Sequence, residues 1–254
     1  MFLAIDIGNS NITLGIFDND TLIKTIRLDS DKNLSVFEYE KLIKNALNSF
    51  NIKECAMLSV VEELTEIVKS ACENIFKTDI FILNSNSKTG LLLDSSNSAT
   101  IGADRLANAC AVLDYKLPAI IVDIGTAITF DIVDSDKSFI GGVIMSGINI
   151  ELKALYENTS KLPLISAKES DFAIGNTTES CILSGVIRGK ACAIEGLLNQ
   201  CKKELNKKAT VIVTGGQCNL ILKYISRNFD YIDLNFTLRG LKRAYTISKQ
   251  NKSN

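Results

Sequence analysis

Two tight turns in the sequence have the residue types of a phosphate-binding site. In each turn an Asp ends an apolar strand and a Gly follows two positions later: Asp6 with Gly8, and Asp123 with Gly125. Glycine lets a ligand approach the backbone closely, and the N–H groups of such turns suit phosphate oxygens. The carboxylate can hold a cation, or its water shell, beside those phosphates. A single turn of this kind also occurs in many structural hairpins, where Asp and Gly are common.

A third glycine element lies in the second half of the chain. Thr214, Gly215 and Gly216 stand where a predicted strand meets a predicted helix. Alone, such a segment is also typical of an ordinary strand-to-helix loop. Together, the three elements predict a nucleotide held in a cleft between two domains. The sequence contains neither GxxxxGK[ST] nor GxGxxG, two other common phosphate-binding motifs.

An internal repeat predicts the architecture that positions these turns. Residues 4–18 and 121–134 both contain D-I-G, a short turn, and then I-T-x-x-I-x-D. The order of strands and helices around each copy is also the same, with one extra helix in the second half. Alternating strands and helices predict an α/β fold. The duplication predicts two similar domains, over residues 1–116 and 117–254.

The hydrophobic periodicity predicts the individual elements. The predicted strands lie near residues 2–7, 11–17, 21–28, 55–60, 79–83, 118–124, 127–133, 138–145, 209–214 and 229–233. The predicted helices lie near residues 35–49, 62–76, 102–115, 148–157, 179–205, 217–227 and 237–248. Residues 84–100 are rich in Ser and Asn and predict a long loop. Gly185 and Gly189 are spaced for close helix contact, either between subunits or within one.

The composition is that of an ordinary globular protein. Of its 254 residues, 46% are hydrophobic and 22% charged, and the net charge is −1. Bulk electrostatics therefore does not favour nucleic acid or an anionic membrane as a partner. The N-terminus lacks the pattern of a signal peptide, and no apolar run approaches the roughly 20 residues of a membrane span. We expect a soluble protein of the cytoplasm.

The absence of histidine and the number of cysteines exclude several kinds of site. Without histidine there is no Ser-His-Asp triad, no Cys-His pair and no histidine metal ligand. The seven cysteines are odd in number and include no CxxC pair, so they predict neither a disulfide framework nor a zinc site. Phosphoryl transfer fits these limits, because it depends mainly on positioning and charge stabilisation.

The combination and order of motifs resemble a known family. The arrangement resembles the superfamily of acetate and sugar kinases, heat-shock chaperone ATPases and actin, and within it the type III pantothenate kinases over nearly the whole chain. The matching segments are DIGNSNI (6–12), GADR (102–105), VDIGTAITFD (122–131), GGVIMSG (141–147), GNT (175–177) with SG (184–185) after it, and TGG (214–216).

The resemblance implies a fold and a reaction. The fold would be two duplicated actin-like (ribonuclease H-like) domains with mixed β-sheets flanked by helices. The enzyme would transfer the γ-phosphoryl group of ATP to the 4′-hydroxyl of pantothenate, the first step of coenzyme A synthesis. The resemblance also implies a requirement for Mg²⁺, activation by a monovalent cation such as K⁺ or NH₄⁺, and a homodimer.

The resemblance also implies roles for individual residues. Asp104 would be the catalytic base, and Asp123 would bind the monovalent cation. The pantothenate site would comprise Gly102, Ala103, Asp104 and Arg105, with Thr177 from the neighbouring subunit. The ATP site would comprise Asp6, Ile7, Gly8, Asn9, Ser10, Asn11, Ile12, Thr13 and Thr126, with Asp6 near Mg²⁺.

Elementary chemistry is consistent with two of these roles. A primary hydroxyl needs a base as the phosphoryl group transfers, and a positioned Asp can serve. The guanidinium of Arg105 is a planar fork suited to a carboxylate. Without the resemblance, Asp104 and Arg105 are also typical of a helix N-terminus, with an Asp favoured by the helix dipole and a solvated Arg.

Several positions depart from the family's pattern. Ser95 stands near a common Tyr or Phe, Ser98 near a common Pro, and Ser146 where Pro is frequent. An aromatic residue near position 95 would help to line the pantothenate pocket. Its replacement by Ser is expected to weaken substrate binding by about 1–3 kcal/mol if nothing compensates.

Three alternatives to the pantothenate kinase remain at this stage. The first is a non-catalytic regulator, since some relatives are described as accessory factors for transcription. The intact GADR segment and turns favour an enzyme instead. The second is a chaperone or filament ATPase, which the short chain disfavours. The third is a kinase for another small hydroxy acid, and only the resemblance separates it from the pantothenate kinase.

Overall fold

The first half of the chain forms strands and helices in nearly the predicted order. The structure is a computed structural model and describes residues 1–94, 100–226 and 229–250. The elements up to residue 111 are β1 (Phe2–Ile7), β2 (Asn11–Asp18), β3 (Thr21–Asp29), α1 (Val36–Leu47), β4 (Glu54–Ser59), α2 (Glu62–Phe76), β5 (Phe81–Ile82), β6 (Leu92–Leu93) and α3 (Ala103–Ala111).

The second half repeats this alternation. Its elements are β7 (Ala119–Ile124), β8 (Ala127–Val133), β9 (Ser138–Ser146), α4 (Ile148–Glu157), α5 (Thr178–Leu183), α6 (Gly189–Leu205), β10 (Thr210–Thr214), α7 (Cys218–Ile221), β11 (Tyr231–Ile232) and α8 (Phe236–Gln250). A π-helical segment, Ser184–Arg188, joins α5 to α6.

Two mixed sheets confirm the predicted α/β fold. The first has the order β3-β2-β1-β4-β5 and the second the order β11-β10-β7-β8-β9-β6. Strand β1 is antiparallel to β2 and parallel to β4. In the second sheet β7 is likewise antiparallel to β8 and parallel to β10. Both Asp-x-Gly turns therefore follow equivalent central strands, as the repeat predicts.

The central strands are buried because their sequences are apolar on both faces. In β1, the side chains of Leu3, Ala4, Ile5 and Ile7 are fully buried. Strand β7 has the same character from Ala119 to Val122. Continuous apolar runs of this kind are typical of strands covered on both faces. Each candidate turn is thus anchored to a rigid strand at the centre of a sheet.

The chain forms two compact units. The first comprises Met1–Asp114, Asp136–Ile140 and the described part of the segment from Phe236 onward, and the second comprises Tyr115–Ser135 and Gly141–Asn235. This division differs from the predicted one over residues 1–116 and 117–254, because a short piece around the start of β9 and the whole of α8 belong to the first unit. The chain therefore returns twice to the first unit after entering the second, which a division by sequence position could not predict.

Helix α8 packs directly against α3, which begins at the GADR segment. A Cβ placed on Gly240 would lie only 1.9 Å from the carbonyl oxygen of Ala107. Leu238, Leu241 and Ala244 of α8 are buried in the same apolar cluster as Leu106 of α3. Glycine is therefore required at this crossing, and α8 supports the helix that carries the candidate base.

Two predicted helices differ from those observed. The helix predicted over 179–205 is interrupted by the π-helical segment. The helix predicted over 217–227 ends as α7 at Ile221, followed by a 3₁₀ turn at Leu222–Tyr224, and residue 227 lies outside the described residues. The predicted loop over 84–100 contains the short strand β6. Backbone hydrogen bonding determines where these helices and this strand begin and end, and hydrophobic periodicity contains no information about it.

The positions of Gly185 and Gly189 are open in this chain. Both are exposed, and no heavy atom of the described part of the chain lies within 4 Å of a Cβ placed on either one. Tight packing within one subunit therefore does not explain their spacing.

None of the helices in the described ranges is both long and apolar enough to cross a bilayer.

Candidate functional site

The first turn joins β1 to β2 and is braced by Ser30. The N–H of Gly8 donates to the carbonyl oxygen of Asn11 at 3.0 Å. The hydroxyl of Ser30 donates to the carbonyl oxygen of Gly8 at 2.6 Å. The backbone N–H of Ser30 donates to the carbonyl oxygen of Ser10 at 3.3 Å. These bonds hold the turn in one shape. Sequence analysis did not single out Ser30, since its position at the end of β3 carries no motif.

The first turn presents polar groups to solvent and keeps its apolar residues inside. Asn9, Ser10 and Asn11 are exposed, and Asp6 is half-buried. Ile7 and Ile12 lie in the core, fully buried. The exposed amides and hydroxyl can therefore meet a ligand, whereas the two isoleucines can contribute only backbone groups.

The second turn joins β7 to β8 and lies beside the TGG segment. In register, Asp123 pairs with Thr129 on β8 and with Thr214 on β10. Gly215 has a φ of +102°, and a Cβ there would lie 2.5 Å from Oδ1 of Asp123. Both the backbone conformation and the lack of space require glycine. The structure thus brings the predicted third glycine element against Asp123.

The next residues close the same corner of the second unit. The N–H of Gln217 donates to the carbonyl oxygen of Ile124 at 2.9 Å. Burial raises the pKa of Cys218 to about 12, and the nearby negative charge of Asp123 adds to this effect. Cys218 is therefore a neutral buried thiol.

Gly147 fixes the position of Thr126. The N–H of Gly147 donates to the carbonyl oxygen of Thr126 at 3.0 Å. A Cβ on Gly147 would lie 2.2 Å from that oxygen and 2.5 Å from the carbonyl oxygen of Gly125. The junction between β9 and α4 is thus packed directly against the second turn. This contact explains the glycine that ends the GGVIMSG segment.

The GADR segment begins α3 in the first unit. Gly102 is the N-cap residue, with no side-chain cap, and its carbonyl oxygen accepts from the N–H of Leu106 at 3.0 Å. Oδ1 of Asp104 accepts from the N–H of Arg105 at 2.8 Å. A Cβ on Gly102 would lie 2.6 Å from the same carboxylate oxygen. Gly102 therefore leaves the space that the Asp104 carboxylate occupies.

Burial raises the pKa of Asp104 above that of an ordinary aspartate. The hydrogen bond from the N–H of Arg105 and the positive charge of Arg105 lower it again, but burial is the largest effect. A carboxylate with a raised pKa is a stronger proton acceptor. Asp104 thus has the electrostatic character that general-base catalysis requires.

Arg105 lies over the ring of Phe139. Its Cζ is 5.5 Å from the ring centroid, within the range of a cation–π contact. Phe139 lines a cavity of about 450 Å³ in the first unit, together with Leu92, Leu93, Asp94, Ser138 and Ile140. Ser95 and Ser98, the positions that depart from the family's pattern, lie outside the described residues.

Thr177 caps α5 in the second unit. Its hydroxyl accepts from the N–H of Ser180 at 3.1 Å, and the side chain lines a cavity of about 220 Å³. A Cβ on Gly175 would lie 2.4 Å from the N of Cys181. Thr177 is exposed, so capping the helix leaves it accessible to a ligand.

The predicted residues thus fall into groups. The first turn (6–13) and the GADR segment (102–105) belong to the first unit, whereas Asp123, Thr126 and Thr177 belong to the second. Contacts join Asp123 and Thr126 to Gly215 and Gly147 respectively. Thr177 lies at a separate cavity.

Comparison with known sequences identifies a family. The sequence matches the family model of type III pantothenate kinases over residues 2–200. A type III pantothenate kinase from Bacillus cytotoxicus is 36% identical over 251 residues, which cover 96% of this chain and 95% of that protein. The match to the family model includes the two Asp-x-Gly turns and the GADR segment within its span.

Comparison with solved structures supports the fold. A ROK family glucokinase from Streptomyces griseus, in complex with glucose and AMPPNP, matches with a TM-score of 0.54 and 13% identity over 98% of this chain and 99% of that one. MreB 5 of Spiroplasma citri bound to AMPPNP matches with a TM-score of 0.55 and 13% identity over 100% and 98%. At such identity the likeness concerns the fold alone, and it confirms the expected actin-like architecture.

Proposed function

Because the chain belongs to the family of type III pantothenate kinases, we propose that it transfers the γ-phosphoryl group of ATP to the 4′-hydroxyl of pantothenate. This reaction is the first step of coenzyme A biosynthesis. One observation carries the proposal at the level of the site: the GADR segment presents a carboxylate of raised pKa and an adjacent guanidinium at the start of α3. The reaction needs these two groups on the substrate side.

Each residue of the GADR segment has a distinct task in this proposal. Asp104 accepts the proton of the substrate hydroxyl as the phosphoryl group transfers. Arg105 pairs with the carboxylate of pantothenate. Gly102 and Ala103 shape the backbone beside it. Thr177 contributes its hydroxyl from a neighbouring subunit.

The two turns bind the nucleotide in this proposal. Backbone N–H groups and polar side chains of residues 6–13 contact the ATP phosphates, and Thr126 contacts ATP from the second turn. The hydrogen bonds from Ser30 that brace the first turn support its role in phosphate binding. The close contact of Gly147 with Thr126 supports the role of the second turn. Rigid turns suit this chemistry because little must be reorganised when charge develops.

Kinases that use ATP take a divalent metal with the nucleotide, and we propose Mg²⁺ held near Asp6. The donor set fits, because Mg²⁺ prefers oxygen ligands and commonly binds through one or two carboxylates and the substrate phosphates. Within residues 1–94, 100–226 and 229–250, no group of three or more Asp, Glu, Cys or His side chains could hold a metal. A single carboxylate together with nucleotide oxygens is thus the arrangement that fits. The bound ion would neutralise phosphate charge.

Asp123 is the proposed ligand of a monovalent cation, K⁺ or NH₄⁺. The loop beside its carboxylate includes Gln217, whose Oε1 is buried and accepts no hydrogen bond from the described residues. A cation would satisfy such an oxygen. We expect K⁺ and NH₄⁺ to raise turnover over Na⁺, and Asp123→Asn to remove this selectivity. Equal rates with all three ions in the unsubstituted enzyme would remove Asp123 from this role.

The proposed enzyme is a homodimer of the cytoplasm. Ile174 is 90% exposed and Phe172 69% exposed in the segment that leads to Thr177, and large exposed apolar side chains are typical of protein interfaces. The open faces of Gly185 and Gly189 support the same conclusion. All seven cysteines are free thiols, which suits a reducing compartment where ATP is available.

Release of ADP from Mg-ATP, measured with and without pantothenate, tests the reaction. Strong stimulation by pantothenate is the expected result and would mean that other groups compensate for Ser95. Stimulation by a different small hydroxy acid, with none by pantothenate, would overturn the substrate while keeping the reaction class. Tight nucleotide binding with no turnover on any hydroxy acid would favour the non-catalytic regulator.

A further inference from the structure

A lysine occupies the buried face of α6 in the second unit. Lys190 lies on the same helix face as Ile194 and Leu198, four and eight residues further on. Its side chain is only 8% exposed. A buried ammonium group is costly unless it is paired and hydrogen-bonded. The position of Lys190 therefore calls for a reason beyond packing.

The ammonium group of Lys190 reaches the junction between β9 and α4. Its Nζ donates to the hydroxyl oxygen of Ser146, the last residue of β9, at 2.9 Å. It also forms an ion pair with Oε2 of Glu151, in the first turns of α4. The Ser146 hydroxyl lies 3.3 Å from the same carboxylate oxygen. One cation thus ties the end of a strand to the start of a helix.

The residue between these two anchors is in contact with the second turn. Gly147 follows Ser146, and its carbonyl oxygen accepts from the N–H of Glu151 at 3.2 Å. Its own N–H donates to the carbonyl oxygen of Thr126. Because the fit is too close for a Cβ, a shift of the junction must move Thr126 or break this bond.

We propose that Lys190 is a positioning residue for the nucleotide: through Ser146 and Glu151 it holds Gly147 against the Gly125–Thr126 turn. Lys190 acts through other groups and does not itself touch the substrates. The proposal rests on the proposed function in one respect, the assignment of the second turn to ATP. Charge-assisted hydrogen bonds are about twice as strong as neutral ones, which suits a fixed support.

Lys190→Met tests this role in the full-length protein, because methionine keeps most of the apolar stem and removes the charge. We expect the dissociation constant for Mg-AMPPNP, measured by calorimetry, to rise about tenfold or more, since small misplacements of binding groups are costly. The KM for ATP should rise with it, whereas the KM for pantothenate should change less than about twofold. Lys190→Arg, which keeps the cation, should retain part of the affinity.

Lys153→Met is the matched control. Lys153 lies on α4, the helix that carries Glu151, and forms an ion pair with Glu157, but both of these side chains are exposed. Exposed pairs of this kind contribute little, so its loss should leave nucleotide affinity unchanged. Ser146→Ala provides a milder second variant, because it removes only the hydroxyl that accepts from Lys190. Its affinity for Mg-AMPPNP should fall in the same direction.

The two readouts separate this proposal from the proposed function. If Lys190→Met and Ser146→Ala bind Mg-AMPPNP like the unsubstituted protein, the positioning role is wrong, even if the melting temperature falls. Equal increases in both KM values would also contradict it, since they would indicate a general loss of structure. A failure of pantothenate to support turnover would overturn the proposed substrate. The calorimetric comparison would still decide the role of Lys190.

Discussion

At the scale of one residue, two opposing effects act on the pKa of the Asp104 carboxylate. Burial raises its pKa, while Arg105 lowers it through a backbone hydrogen bond and through its charge. The negative form is therefore less stable in the folded protein than in water, yet it is held beside a cation. A base of this kind accepts a proton readily at the moment of transfer. The same residue that would serve catalysis thus costs folding stability at neutral pH.

Asp104→Asn should abolish most turnover while leaving the nucleotide bound. We expect kcat to fall by about 10²–10⁴ because a general base is lost. The dissociation constant for Mg-ATP should stay nearly unchanged. ADP release and calorimetry measure the two effects. Asp18→Asn, a substitution at an exposed end of β2, is the control. Near-normal turnover of Asp104→Asn would show that another group is the base.

The same substitution should raise the free energy of unfolding at pH 7.5. The pKa of Asp104 is raised on folding, so its contribution to stability is present below the ordinary value of 3.8 and is lost as pH rises through the folded pKa. Asparagine removes the buried negative charge. Urea unfolding at pH 7.5 measures the gain, which should be absent at low pH. A variant less stable than the parent at pH 7.5 would contradict this account.

The pH dependence of kcat/KM should reflect the same group. Because Asp104 must be ionised to act as a base, activity should be lost at a pH above the ordinary aspartate value of 3.8 as the solution is made acidic. The acid limb of the profile, measured with saturating ATP, reports this pKa. An acid limb at or below pH 3.8 would mean that burial does not raise the pKa of Asp104 in the working enzyme.

Helix pairing is the decisive feature at the scale of elements. Helix α3 carries the GADR segment at its N-terminus, and α8 supports it from another part of the chain. The contact of Gly240 with Ala107 sets how closely the two helices approach. The position of the candidate base therefore depends on a glycine more than a hundred residues further along the chain. In the second unit, β9 and α4 support the Thr126 turn in a comparable way.

Gly240→Ala should destabilise the protein and lower turnover. A Cβ at this position would lie 1.9 Å from the Ala107 carbonyl oxygen, so the helices must separate. Overpacking of this kind costs about 1–3 kcal/mol, which thermal or urea unfolding can measure. Turnover should fall as well, because α3 moves with the contact.

Gly196→Ala is the matched control for this substitution. Gly196 lies within α6, and nothing in the described part of the chain lies within 4 Å of a Cβ placed there. Alanine in a helix interior is more favourable than glycine by about 1 kcal/mol, so this variant should be more stable than the parent. Equal destabilisation by both substitutions would show that the crossing at Gly240 is not the cause.

The two compact units define the scale of the whole molecule. Strand β1 of the first unit and strand β7 of the second each end in an Asp-x-Gly turn. The candidate base and the first turn belong to one unit, and the second turn and Thr177 belong to the other. The exposed apolar segment before Thr177 is the surface that the proposed dimer would cover. Activity in that case requires association of two chains.

Ile174→Asp should convert the proposed dimer into monomers and reduce turnover. A charged side chain at a 90% exposed apolar position is readily tolerated in a monomer but is costly in a dry interface. Light scattering measures the mass, and ADP release measures the activity. Ile23→Asp, at an exposed position of the first unit, should leave the mass unchanged. A monomeric Ile174→Asp variant with full activity would contradict a role for Thr177 across subunits.

Local patterns in the sequence were sufficient to predict the fold class, the strands apart from β6, and both Asp-x-Gly turns. The reason is that a repeated motif and a period of apolar residues report on the chain within a few positions. The motif order also led to the family. The GADR segment was singled out through the resemblance to the family, and the roles of its residues stay a prediction.

Tertiary packing was needed for the supports of these residues. Gly147 meets Thr126, Gly240 meets Ala107, and Lys190 meets Glu151, although each pair is far apart in the sequence. A lysine between Val186 and Ile194 was the one visible sign of such a support, since it interrupts an apolar helix face. Its partners could not be inferred, because contacts between distant segments depend on how helices and sheets pack. Periodicity within a segment contains no information about that packing.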